Sequence, residues 1–165
     1  MNGMKKNGIR LYNVMFPVWL LVWFPSWLWL LLIPANYLID RFVLRWSLSG
    51  LEERRLFCRR HCWKICLAGF LADFIGSALL FAATFLFSSG SRFANALAFN
   101  AFSNFPALLV TVFAILLAGA LIFLFDRWIL ARVGLEKELS VKAARNLALI
   151  TAPYLFLFPT GLLYR

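Results

Sequence analysis

Acidic residues are scarce in this chain. Seven Asp and Glu stand against seventeen Lys and Arg in 165 residues, and His61 is the single histidine. That scarcity removes most reaction chemistry. The sequence has no His-Glu-x-x-His for a catalytic zinc, no nucleophile elbow and no P-loop. Metal-dependent lipid enzymes need clustered carboxylates, and these are scattered along the sequence. An intramembrane protease needs a nucleophile with a base in reach, and Ser77 has no histidine near it. The chain is therefore not expected to be an enzyme or to hold a cofactor. Cysteine is sparse as well. Cys58, Cys62 and Cys66 fall within one short basic segment, which excludes a disulfide framework and points to free thiols along one helix face. With His61 they resemble a metal set, but the helical rise puts Cys58 and Cys66 about 12 Å apart. That is too far for one tetrahedral zinc, so no metal is expected, and the thiols read as surface groups beside lipid headgroups.

A polar stretch long enough for a separate soluble domain is also missing. The chain is 63% hydrophobic, with a mean hydropathy of +0.81, where soluble domains stay near half apolar. Runs of about 20 apolar residues suffice to cross a bilayer core of roughly 30 Å. Four such runs occur, at about 26–46, 65–88, 106–125 and 147–163. They predict an all-α, polytopic integral membrane protein forming a single transmembrane domain over residues 1–165. Interfacial or re-entrant helices are expected before Pro25 and before Pro106, at 11–24 and 93–104. Trp19, Trp23 and Trp27 recur every four residues and share a face suited to headgroups or neighbouring helices. Lys5, Lys6 and Arg10 before an apolar stretch resemble a signal peptide. The stretch is too long, and no small-x-small site follows, so retention in the fold is expected.

The net charge of +10 sits mainly between the apolar runs. Without a basic face on a recognisable binding fold, nucleic acid is not expected. Charge bias instead places the basic loops 45–64 and 127–145 in the cytoplasm of a multi-pass cell-membrane (bacterial inner-membrane) protein. Arg54, Arg55, Arg59, Arg60 and Lys64 form a cluster suited to orientation, to anionic lipid headgroups or to an acidic partner. Ser49-Gly50-Leu51-Glu52 fits a capping box that would start a helix there.

The chain also shows an internal match at an offset of about half its length. Asp40-Arg41 pairs with Asp126-Arg127, Gly50-Leu51-Glu52 with Gly134-Leu135-Glu136, and Phe24-Pro25 with Phe105-Pro106. This predicts repeat halves 11–90 and 91–165, two tandem helical hairpins of like orientation, as in parallel-repeat transporters. Asp40 with Arg41 and Asp126 with Arg127 are expected to form ion pairs at helix ends.

One acid stands inside an apolar run. Asp73 lies nine residues past Lys64, about 13 Å along a helix. A carboxylate at such depth costs roughly 2.5–3.5 kcal/mol on insertion scales, so it must face the bundle interior. Tyr154 lies nine residues past Arg145, at matching depth, and its hydroxyl is the expected donor to Asp73. Gly69, Asp73 and Ser77 share one stripe; Ala68, Ala72 and Gly76 form the next, a small-residue face that permits close helix approach. The polar site reads as Asp73, Tyr154 and Ser77.

FLADFIG at 70–76, TAPYLFLFPT at 151–160 and RLYNVMFPVWL near the start resemble a group of small, uncharacterised polytopic bacterial membrane proteins. The resemblance implies no activity, cofactor or site. Two functions fit the residues. The first is a non-enzymatic accessory, immunity or assembly partner that docks another membrane protein through the basic face. The second is a small transporter or channel subunit, homo-oligomeric because four short helices enclose little volume, with Asp73 as its proton or cation site.

Overall fold

A computed structural model describes Trp19, Leu20, Trp23 and residues 29–87 and 92–160. The described residues form an all-α structure with no strand. Helix α1 spans Trp29–Ser47, α2 Arg54–Leu86, α3 Arg92–Phe99, α4 Phe105–Arg132 and α5 Lys137–Thr151. Single 3-10 turns cover Ala101–Ser103 and Tyr154–Leu157.

Two of these helices, α2 and α4, are long and apolar enough to cross a membrane. At 33 and 28 residues they run about 50 and 42 Å. The other two long elements fall short of that test. In α1, Asp40, Arg41 and Arg45 interrupt the apolar run. In α5, 15 residues beginning Lys-Glu-Leu-Ser bury Ser140, Ala143, Ala144 and Leu147 at helical spacing, and the helix is too short, with Lys137, Glu138, Lys142 and Arg145 in its first nine residues.

The expected fourth crossing at 147–163 therefore does not form as one helix. The helix begins ten residues earlier, at Lys137, and ends at Thr151. Pro153 explains the end: proline has no amide donor and drives the residue before it out of helical geometry. Ala152 accordingly sits at ψ 147°.

The two basic segments are largely helical rather than loops. Residues 54–64 form the first three turns of α2, and 127–132 complete α4. The capping box at Ser49 does not form either. α2 starts after Glu53, which makes no side-chain cap bond. Better-defined ends flank α4. The Asn104 side chain accepts from the Ala107 amide at 3.2 Å, with Pro106 in the first turn, where its missing donor costs nothing. At the other end Gly134 takes φ 83°. Its amide bonds the Ala131 carbonyl and that of Leu135 bonds Leu130, both at 3.2 Å, the paired closure that glycine permits after a helix. Gly50, its counterpart in the sequence match, has no positive φ, so the two Gly-Leu-Glu segments turn differently.

The four long helices pack in a ring: α1 on α2 and α5, and α4 on α2 and α5. Helices α1 and α4 thus occupy opposite corners. The turns at 48–53 and 133–136 lie at the same end, where Leu48, Cys58, Leu130 and Leu147 share one core with Leu51 and Leu135 against it. A second core at the other end joins Leu80, Leu97, Ala107, Ile115 and Phe156. The expected small-residue face does bring α2 onto α4. Ala68, Ala72 and Gly76 are buried, and a Cβ built on Gly76 would stand 3.1 Å from the Ala118 Cβ. The outer surface is apolar, with Leu30, Phe42, Leu86 and Phe105 each at least 70% exposed.

Candidate functional site

Inside a helical bundle a hydroxyl or amide is tolerated when its own chain supplies a partner. Most of the buried polar side chains here obey that rule. Thr111 donates back to the Ala107 carbonyl at 2.9 Å and Ser140 to Leu135 at 3.2 Å. Asn146 on α5 donates to Ser47 on α1 at 3.0 Å, tying two helices together. Ser77 donates to the Phe74 carbonyl at 2.9 Å and accepts from the Trp23 indole at 3.0 Å.

The exceptions among the described residues are Nδ1 of His61 and the carboxylates of Asp73 and Asp126. Asp126 is 1% exposed, and neither of its oxygens has a hydrogen-bond partner among the described residues. Asp73 likewise has one buried oxygen without a partner. Asp40, also buried, lies within hydrogen-bonding reach of the Cys66 thiol. Burial acts first on both Asp73 and Asp126, and the Asp40 carboxyl adds to it at each. Carboxyl groups from α1, α2 and α4 thus sit within the bundle, with Asp40 in electrostatic reach of each of the other two. In sequence they are scattered and Asp73 alone stands out. That reach comes from the ring packing, which sets α1 beside α2 and across from α4.

Among the described residues, neither Asp40 with Arg41 nor Asp126 with Arg127 stands at a helix end as expected. Asp40 and Asp126 lie within helices that continue to Ser47 and Arg132. Successive helical residues do not face each other. Asp126 points inward while Arg127 is exposed, and Asp40 faces Cys66.

The hydroxyl of Tyr154, the expected partner of Asp73, donates to the Leu149 carbonyl at 2.6 Å instead. The break at Pro153 turns the chain out of the helix and leaves that carbonyl within reach. Both residues nevertheless line one cleft of about 600 Å³ between the α1–α2 side and residues 150–159. Its walls are mostly apolar. Trp29 and Phe70 stand in them, stacked at a centroid distance of 6.1 Å. Ser77 does not line it; it anchors Trp23, whose ring packs on Phe74 at 4.3 Å. Trp19 similarly donates to the Leu97 carbonyl at 3.2 Å. The two described tryptophans of the expected aromatic face thus meet neighbouring helices. Trp27 lies outside the described residues, as do Phe24 and Pro25.

Cys58, Cys62 and Cys66 are free thiols, buried rather than on the surface. They face α1, where Cys62 donates to the Tyr37 carbonyl at 3.7 Å. The basic cluster keeps Arg55, Arg59 and Arg60 exposed, with Arg54 and Lys64 half-buried. The Arg54 guanidinium donates to the Ser49 carbonyl at 3.5 Å. No grouping of three His, Cys, Asp or Glu among the described residues is close enough to hold a metal ion.

No protein family, curated protein or solved structure matches the chain.

Proposed function

We propose that this is an integral protein of the cell membrane, and that it handles a proton or monovalent cation through Asp40, Asp73 and Asp126. Its apolar exterior suits a hydrocarbon surround, since a soluble monomer rarely exposes a large contiguous apolar surface. Helices α1 and α5 would complete the membrane domain beside α2 and α4, the turns at 48–53 and 133–136 facing the cytoplasm. Two hairpins, α1–α2 and α4–α5, would then be related by an axis along the membrane normal. Asp40 and Asp126, one from each half, would face each other near it.

The observation that carries the reading is Asp126, buried with neither oxygen partnered among the described residues, in a bundle that also buries Asp40. Ionisable groups inside a membrane domain are costly and usually mark an ion or proton path. Two like charges at close range are eased when one of them takes up a proton. Four helices enclose little volume, so a path for substrate would be completed between copies. Reconstituted into liposomes loaded with a pH dye, the chain should dissipate an imposed proton gradient. Asp126→Asn should fall to the rate of empty liposomes while eluting as the same species in detergent. Wild-type flux equal to that of empty liposomes removes the reading.

A second reading rests on the outer end of α2. Arg55, Arg59 and Arg60 are exposed there together with Leu56 and Trp63, a combination that suits headgroups or an acidic partner. The protein would then act as an accessory, immunity or assembly factor. Changing these three arginines to glutamate should abolish co-purification of a membrane partner and leave proton flux intact. Retention of the partner would remove this docking face.

A further inference from the structure

The cleft beside Asp73 has a chemistry of its own. It is formed where α5 stops at Thr151 and the chain continues past Pro153 outside the α-helix, as the short 3-10 turn Tyr154–Leu157. Irregular backbone at membrane depth persists where it lines a cavity or is buried in protein. At about 600 Å³ the cleft falls in the range of small-molecule sites, roughly 300–1,000 Å³.

Three independent features of its walls favour positive charge. Asp73 supplies a carboxylate, and no basic residue lines the cleft. Trp29 and Phe70 supply aromatic rings, whose faces attract cations. Ile150 and Thr151 bring in the C-terminal end of α5, which carries the negative end of the helix dipole. Apart from Asn36 and the hydroxyls of Thr151 and Tyr154, which donate to the Leu147 and Leu149 carbonyls, the rest of the wall is apolar. A small hydrated metal ion would lose its water there without enough oxygen ligands to replace it. An organic cation with apolar substituents loses little on entering.

From these walls we infer that the cleft binds an amphipathic organic cation, with Asp73 as its counter-charge and the rings of Trp29 and Phe70 against its apolar groups. The inference builds on the reading of the buried carboxylates as a proton or cation site and names the substrate class. Proton and organic cation would compete for Asp73, so that loading one releases the other.

The test uses the full chain in detergent with tetraphenylphosphonium as probe, read by equilibrium dialysis and by quenching of tryptophan fluorescence. Saturable binding is expected, weakened about tenfold or more by Asp73→Asn, a change of roughly 1.4 kcal/mol. Triphenylphosphine oxide, bulky and neutral, should bind at least as weakly. Phe70→Ala provides a second variant: should Asp73→Asn fail to fold, wild type against Phe70→Ala and against the neutral compound decides. Binding that is unsaturable, or equal for the neutral compound, or unchanged in both variants, overturns the inference. Proton flux in liposomes without binding of the probe removes the cleft alone. Binding without flux leaves the cleft and removes the proton reading.

Discussion

Replacing Asp126 with leucine is expected to raise the midpoint of thermal unfolding in detergent and to abolish proton flux at once. Leucine has the same branching as aspartate, with methyl groups where the oxygens stand. Ile122 and Leu130, one turn before and one turn after, are buried and apolar, so the new side chain would join a continuous stripe. Leaving a buried polar group without a partner costs about 1–3 kcal/mol, and this substitution removes that cost together with repulsion from Asp40. Some of the gain would be lost to fitting the slightly larger methyls. A destabilised but active Asp126→Leu protein would contradict both halves of the expectation. The trade is the one found where a strained site is retained for activity rather than stability.

Gly76→Leu should have the largest effect on the fold. A Cβ at this position would already stand 3.1 Å from the Ala118 Cβ, 3.2 Å from the Ala114 carbonyl and 3.2 Å from the Phe156 ring. Leucine adds three further carbons in that direction. Overpacking of a close interface costs typically about 1–3 kcal/mol, and here one of the obstacles is backbone, which cannot rotate away. Loss of the monodisperse species on gel filtration, or a steep fall in the unfolding midpoint, is the expected readout. Gly69→Leu is the control on the same helix. Nothing lies within 4 Å of its Cβ position, so it should fold normally and gain slightly from leucine's better helix propensity, up to about 1 kcal/mol. Equal behaviour of the two variants would mean that α2 and α4 do not meet at Gly76.

What the sequence made legible follows a physical line. The long apolar runs of α2 and α4 are visible because composition alone specifies them, and the small-residue stripe Ala68, Ala72 and Gly76 because spacing does. The limits of the helices are less visible. Arginine and lysine mark contact with water but do not break a helix, so 54–64 and 127–132 read as loops while remaining helical. The carboxylates divide in the same way. Asp73 stands out against an apolar run. Asp40 and Asp126 are masked by the arginines next to them, although adjacency along a helix separates side chains instead of pairing them. A signal was present for Asp126: it occupies the middle position between Ile122 and Leu130 at helical spacing. That Asp40 comes within electrostatic reach of Asp73 and Asp126 could not be read from any one segment, because it depends on how the helices stand around the ring. The cleft depends likewise on where α5 stops, and Pro153 is the residue that sets it.

Asp40 and Asp126 stand on opposite corners of the ring, and under the proposed proton reading that placement would couple their ionisation to the shape of the whole bundle. A twist that spreads those corners would ease the repulsion, and a proton bound by one of the two would let the corners close. Such coupling is reciprocal by thermodynamic necessity, so mechanical strain on the outer surface, whether from lipid or from a neighbouring copy, would be felt at the centre as a change in proton occupancy.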